Sequence, residues 1–245
     1  MRRPLTAAFG PGYFGKLPAR GDYLARGLPP SFLDPWEEWI HTVWQAGHQR
    51  LGEVWPPLIA EGPAWRFVLD EDVCGPDAVA GLLIPSCDKL GRVFPLSVVA
   101  AIPGRSDPAA LPVTASGWYG RAEALLRKAL TPDLNLEAFE KRLRDLGSPG
   151  RAPPLTQPKG SAGWHVALDP TQAPAISYPA LIHDLAATLP DRFSLWWTLG
   201  TRRVAPSLAV ASGLPTADAV TAFWDGAWDY WGWTDADALY PEEED

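Results

Sequence analysis

The segment at residues 10–16 comes nearest to a known chemical motif. It reads Gly-Pro-Gly-Tyr-Phe-Gly-Lys, which matches the first part of a phosphate-binding P-loop and the GxGxxG pattern of dinucleotide folds. A P-loop needs Ser or Thr after Lys16 to hold Mg²⁺, but Leu17 and Pro18 follow it here. Both motifs also need a buried strand before the glycines and a helix directly after them, and Pro18 disfavours that helix. A nucleotide-dependent switch or enzyme that uses Gly10 to Lys16 is therefore only the alternative hypothesis.

Other candidates for catalysis or metal binding are isolated in the sequence. His41 and His48 lie seven residues apart, whereas two histidines that bind zinc from one helix usually lie four apart. Cys87 has no histidine at a characteristic spacing, and a lone cysteine of this kind is usually a structural thiol. We therefore predict no catalytic residue, no cofactor and no metal site, and the chain is not expected to be an enzyme.

Composition and charge limit the classes of partner. The 245 residues are 47% hydrophobic, which is enough for a sizeable core. Residues 225–245 carry eight acidic and no basic side chains, which accounts for the whole net charge of −8. Because an acidic tail repels a phosphate backbone and no basic helix is present, we predict no nucleic-acid binding. The absence of a run of about 20 apolar residues predicts no membrane insertion, and two cysteines fit a reducing, cytoplasmic location.

Apolar patterning predicts an α/β fold. Runs of Val, Leu, Ile and Phe between turn residues predict strands at 64–69, 78–84, 92–102, 164–168, 194–199 and 207–211. Helical spacing predicts helices at 117–130, 135–146, 177–189 and 215–225, and another that begins near Asp34 and Pro35. Strands and helices alternate in blocks, so we expect helices on both faces of one mixed central sheet. The short turn at residues 89–92 predicts an antiparallel hairpin within that sheet.

Several ungapped segments point to one family. The longest are GYFGKLPARGDY at 12–23, FLDPWEEW at 32–39, GLLIPSCDKLGRVFPL at 81–96 and SLWWTLG at 194–200, with shorter ones at 65–67, 206–208, 213–215 and 223–226. In this order they resemble TagF, the type VI secretion system-associated protein family. The resemblance runs from about residue 12 to 226. We therefore predict a single TagF-like domain at 1–226 and an acidic, Trp-rich C-terminal tail at 227–245.

The resemblance implies both a fold and a function. It implies a three-layer α-β-α sandwich and a non-enzymatic, cytoplasmic accessory protein of a Gram-negative secretion apparatus. Members are understood to repress that apparatus after translation, partly by binding its forkhead-associated scaffold protein. A structural component of the baseplate is a further possibility.

Two glycine-bounded turns hold the residues that we expect to bind the partner: Lys16, Arg20, Asp22, Ser86, Asp88 and Arg92. The other interpretation of all six is architectural, because turn residues often form local hydrogen bonds. The adjacent Trp196 and Trp197 are expected to face opposite sides of a strand. The outward one is a candidate interface residue, because aromatic side chains contribute strongly to protein interfaces.

Overall fold

The computed structural model describes residues 9–104, 108–150 and 192–234. Its sheet has seven strands: β1 (Gly12–Gly15), β2 (Leu24–Arg26), β3 (Trp65–Leu69), β4 (Val79–Ile84), β5 (Leu96–Ala101), β6 (Phe193–Thr198) and β7 (Ser207–Ser212). Their order is β2-β1-β5-β4-β3-β6-β7. Every pairing between these strands is antiparallel. The predicted hairpin between β4 and β5 is confirmed, whereas the sheet that the described residues form has no parallel pair and so differs from the predicted mixed sheet. Short connections from β3 to β4 and from β4 to β5 leave no room for the crossover that a parallel pair needs.

The described helices are α1 (Pro30–Leu51), α2 (Trp55–Ala60), α3 (Leu111–Thr114), α4 (Ser116–Ala129), α5 (Leu136–Leu146) and α6 (Ala222–Asp225). Helices α4 and α5 begin and end within one residue of their predicted bounds. The long helix predicted at 215–225 is instead the 3₁₀ turn Ala219–Thr221 followed by the four residues of α6. The strand predicted at 164–168 and the helix predicted at 177–189 lie outside the described residues.

Helix α1 begins earlier than the sequence suggested. Asp34 and Pro35 predicted its N-terminus, but Pro30 occupies the first helical position. Proline fits that position because its fixed φ is helical and its missing N–H needs no partner there. Phe32 and Trp36 lie one turn apart, and their stacked ring centroids are 5.6 Å apart. Burial of both aromatic rings therefore favours a helix that continues through Pro35.

Side chains along the strands alternate between two buried clusters, one on each face of the sheet. The first cluster includes Tyr13, Val68, Leu82, Val98 and Leu195 of the strands, with Tyr119 and Leu126 of α4 and Phe139 and Leu143 of α5. The second includes Phe14, Phe67, Leu83, Val99 and Trp196, with Trp36 and Ile40 of α1, Trp55 and Leu58 of α2 and Phe223 of α6. Helices from these two groups therefore pack against both faces, which explains why every residue of the inner strands β3, β4 and β5 is buried.

The two adjacent tryptophans of β6 lie on opposite faces of the sheet, as predicted. Trp196 is fully buried, and its ring centroid lies 4.9 Å from that of Phe67. Trp197 is half-buried, and its ring packs edge-on against Tyr119 of α4 at 4.7 Å. Because the helix layer covers Trp197, this side chain is not the exposed interface residue that the sequence suggested.

The cap of helix α5 provides a test of the local structure. The Asn135 side chain accepts a hydrogen bond from the Ala138 backbone N–H at 2.9 Å. We expect Asn135→Ala to lower the free energy of unfolding by about 1 kcal/mol, because the first turn loses that acceptor. Urea denaturation measures the change. Asn135→Asp keeps an acceptor and should remain close to wild type, and an equal loss in both variants would contradict the capping role.

Candidate functional site

Two connections that are distant in the sequence meet beside β1. The Lys89 backbone N–H donates to the Arg20 carbonyl at 2.8 Å, and the Ser86 hydroxyl donates to the Lys16 carbonyl at 2.6 Å. The Arg92 guanidinium donates through Nη2 to the carbonyl of Gly21, the residue before Asp22, at 3.0 Å. The structure thus brings the six residues singled out from the sequence into two contiguous turns.

The Asp88 carboxylate holds these turns together. Its side chain is fully buried. Oδ2 lies 3.1 Å from Lys16 Nζ and 2.6 Å from Arg92 Nε. Oδ1 accepts hydrogen bonds from the backbone N–H groups of Leu90 at 2.9 Å and Arg92 at 3.0 Å. One carboxylate therefore satisfies two cations and two backbone donors, in the arrangement that makes charge-assisted hydrogen bonds strong.

Burial and hydrogen bonding act on the Asp88 carboxyl in opposite directions. Burial alone raises its pKa, but the hydrogen bonds from the Arg92 backbone, the Lys16 and Arg92 side chains and the Leu90 backbone outweigh it. The pKa of Asp88 is therefore held well below its usual value of 3.8. The site contains a carboxylate that stays charged, unlike a general acid, which must hold its proton near neutral pH.

This low pKa predicts an acid dependence of stability. The folded state binds a proton at Asp88 less readily than the unfolded state, so the stabilisation is complete well above the ordinary pKa of 3.8 and is lost progressively as the pH falls below about 5. Between about pH 5 and pH 2, we expect the free energy of unfolding to fall more steeply in wild type than in Asp88→Asn. Urea denaturation across that range measures both slopes. Equal slopes would contradict the assignment.

The Lys16 side chain is buried and paired inside the protein, so its ammonium is not available to a phosphate group. This argues against the nucleotide hypothesis. The Lys16 side chain is 8% exposed, and Nζ lies 3.4 Å from the Arg92 carbonyl in addition to its ion pair with Asp88. The ammonium also lies 5.0 Å from the centre of the Tyr23 ring, a cation–π distance. The glycines before it, Gly12 and Gly15, belong to strand β1 instead of a phosphate-binding loop.

The six predicted residues divide into a buried and an exposed set. Lys16, Ser86 and Asp88 are buried, and their polar atoms bond inside the protein. These three residues fit the architectural interpretation. Arg20, Asp22 and Arg92 are exposed. Their exposure leaves them available to a partner.

Three further exposed side chains in the same turns were not singled out from the sequence. Tyr23 is 43% exposed, Leu90 is 68% exposed, and Lys89 is exposed as well. A leucine next to a glycine in a polar turn is a signal that sequence reasoning could have used, because turn positions seldom bury a large apolar side chain. We call the six residues of the turns that expose a side chain the two-turn surface: Arg20, Asp22, Tyr23, Lys89, Leu90 and Arg92.

Helix α1 supports the aromatic part of this surface. The Tyr23 ring packs edge-on against Phe94 at 4.7 Å and against His41 of α1 at 5.4 Å. Burial raises the pKa of Tyr23, while the nearby Arg92 lowers it. The helix is fixed in turn by Trp36, whose indole N–H donates to the Ser97 hydroxyl at 3.1 Å. Packing thus holds one face of Tyr23 and leaves the rest of the side chain exposed.

Other sites for chemistry are few in the part of the chain that the structure describes. Within residues 9–104, 108–150 and 192–234, no group of three or more His, Cys, Asp or Glu side chains is placed to hold a metal ion. No helix in these ranges is long and apolar enough to cross a membrane. Burial raises the pKa of the Cys74 thiol to about 12, so this cysteine is protonated and unreactive at neutral pH.

The fold and the two-turn surface describe an α/β protein that presents two fixed turns to solvent. The TagF N-terminal domain family, described as type VI secretion system-associated, matches residues 12–146, which is more than half of the chain. The chain therefore belongs to this family. Both turns lie inside the matched range.

Comparison with solved structures agrees with this assignment. The chain is similar to the crystal structure of PA0076 from Pseudomonas aeruginosa PAO1, with 34% sequence identity and a TM-score of 0.70. The match covers 88% of this chain and 94% of that one. An RNA-binding light-oxygen-voltage receptor aligns over 76% of this chain and 67% of its own length, at 15% identity and a TM-score of 0.19, too low to support an argument. No curated protein sequence matches the chain.

Proposed function

We propose that this chain is a non-enzymatic, cytoplasmic regulator of a bacterial type VI secretion system. It represses the apparatus after translation by binding the forkhead-associated scaffold protein. The family assigns the chain to the secretion system. The proposed mode of action is supported by the two-turn surface. Its exposed side chains are held in place by a buried ion-pair network centred on Asp88.

A surface of this kind is suited to binding a protein. Side chains that are already ordered lose less conformational entropy when a partner docks. Arg and Tyr, represented by Arg20, Arg92 and Tyr23, are also enriched among the residues that contribute most to interfaces. In this account, Arg20, Asp22 and Arg92 contact the scaffold, while Lys16, Ser86 and Asp88 keep the turns in place.

The proposal is tested in the cell and with purified proteins. A strain that lacks this protein should secrete more type VI effector, and a strain that overproduces it should secrete less. The purified protein should capture the forkhead-associated scaffold encoded in its own gene cluster. Unchanged secretion together with no capture would overturn the proposal, and copurification with the membrane-envelope complex instead would favour a structural role in the baseplate.

A further inference from the structure

We infer that the two-turn surface receives an acidic segment of the protein partner that also carries an apolar side chain. Arg20, Lys89 and Arg92 would contact its carboxylates, while Tyr23 and Leu90 would contact its apolar residue. This inference rests on the proposed function, which supplies the protein partner, and it adds the chemistry by which that partner is recognised.

The charge of the two turns differs in sign from that of the whole chain. Residues 16–23 and 86–92 contain four basic side chains and two acidic ones, within a chain whose net charge is −8. Of the two acids, Asp88 is buried and paired with two cations. Asp22 is therefore the one acidic side chain that these two turns expose. Glu37 of α1, which is paired with His41, lies at the border of the surface.

Arg92 is preorganised for a carboxylate. Its Nε is bound to Asp88 at 2.6 Å and its Nη2 to the Gly21 carbonyl at 3.0 Å, yet its side chain is 59% exposed. The guanidinium plane is therefore fixed while part of its edge faces solvent. A fixed guanidinium binds a carboxylate with little further loss of conformational freedom.

The apolar residues favour a protein segment over another polyanion. Leu90 and Tyr23 are two of the five large apolar side chains that stand exposed in the described residues. Nucleic acids and anionic lipid surfaces are bound mainly by dense basic clusters, and the two-turn surface has only three exposed bases. Basic groups in the same two turns as an exposed leucine and an exposed tyrosine fit a peptide with both acidic and apolar side chains.

Calorimetry with the purified forkhead-associated scaffold tests the inference. The test variant is Arg20→Glu with Lys89→Glu. It should keep its fold, because both side chains are exposed and that of Arg20 donates only to the carbonyl of the adjacent Ala19. The matched control is Lys128→Glu with Arg142→Glu, which makes the same charge change at exposed positions of α4 and α5. Circular dichroism confirms that both variants are folded.

We expect the test variant to bind the scaffold at least about tenfold more weakly than wild type, and the control to bind within about twofold. Raising the NaCl concentration from about 50 mM to about 500 mM should weaken wild-type binding and have little effect on the test variant. Equal weakening by both variants would show only a general charge effect and would overturn the inference.

The outcomes separate the inference from the proposed function. If wild type, test variant and control all bind equally, scaffold binding stands and the assignment of an acidic segment to this surface is wrong. If wild type does not bind the scaffold at all, the proposed function fails and the inference fails with it.

Discussion

Asp88→Ala should lower the free energy of unfolding by about 3–5 kcal/mol, because removal of one partner of a buried ion pair leaves the other charge unpaired. The Lys16 ammonium would keep its buried position without the carboxylate that now lies 3.1 Å away. The backbone N–H groups of Leu90 and Arg92 would lose their acceptor as well. Urea denaturation monitored by tryptophan fluorescence measures the loss.

The matched control for this substitution is Asp22→Ala. Asp22 belongs to the same surface but is exposed, so its removal should change stability by no more than about 0.5 kcal/mol. In the folded state of Asp88→Ala the two turns would be held less rigidly, because the carboxylate that links them is missing. Scaffold binding should therefore weaken at temperatures where the variant is still folded. A loss of less than about 1 kcal/mol in Asp88→Ala would show that the network does not hold the turns together.

Gly15→Ala should destabilise the protein by more than about 2 kcal/mol, because it combines backbone strain with overpacking. Gly15 has a φ of +135°, which is unfavourable for any residue with a Cβ, and an added Cβ would lie 2.2 Å from the Pro95 carbonyl oxygen. The close approach of β1 to the start of β5 depends on this glycine. The measurement is again the free energy of unfolding in urea.

Gly10→Ala is the control within the same glycine pattern. A Cβ at residue 10 would meet no atom within 4 Å, so its effect should stay within about 0.5 kcal/mol. This contrast tests why the glycines are present. The explanation tested is that the GxGxxG pattern reflects close packing at Gly15. It would be contradicted if Gly10→Ala were the costly change and Gly15→Ala were tolerated.

The strands and the long helices on the sheet were predictable because their patterns are local. Strand β4 and helices α4 and α5 begin and end within one residue of the predicted bounds. The start of α1 was not predictable in this way, because Pro30 and Pro35 are both acceptable first-turn residues. The packing of Phe32 on Trp36, a contact between side chains, favours the earlier start.

The two glycine-bounded turns were predictable from the sequence, but the burial of each residue in them was not, and their role in binding a partner stays a prediction. The sequence indicated two glycine-bounded turns, and the structure joins them. It could not indicate that Asp88 is buried, because its neighbours Lys89 and Leu90 are typical of an exposed turn and its partner Lys16 lies in a distant segment. It also matched Lys16 to a phosphate-binding pattern, whereas long-range contacts place the ammonium in an internal ion pair.

Hydrogen–deuterium exchange of the wild-type protein, with and without the forkhead-associated scaffold, tests directly whether the two-turn surface binds the scaffold. We expect slower exchange on binding in peptides that cover residues 16–23 and 86–92. Peptides from α4, Ser116–Ala129, should exchange at the same rate in both states. Protection confined to α4 and α5, with no change in the two turns, would contradict the claim that the two-turn surface binds the scaffold.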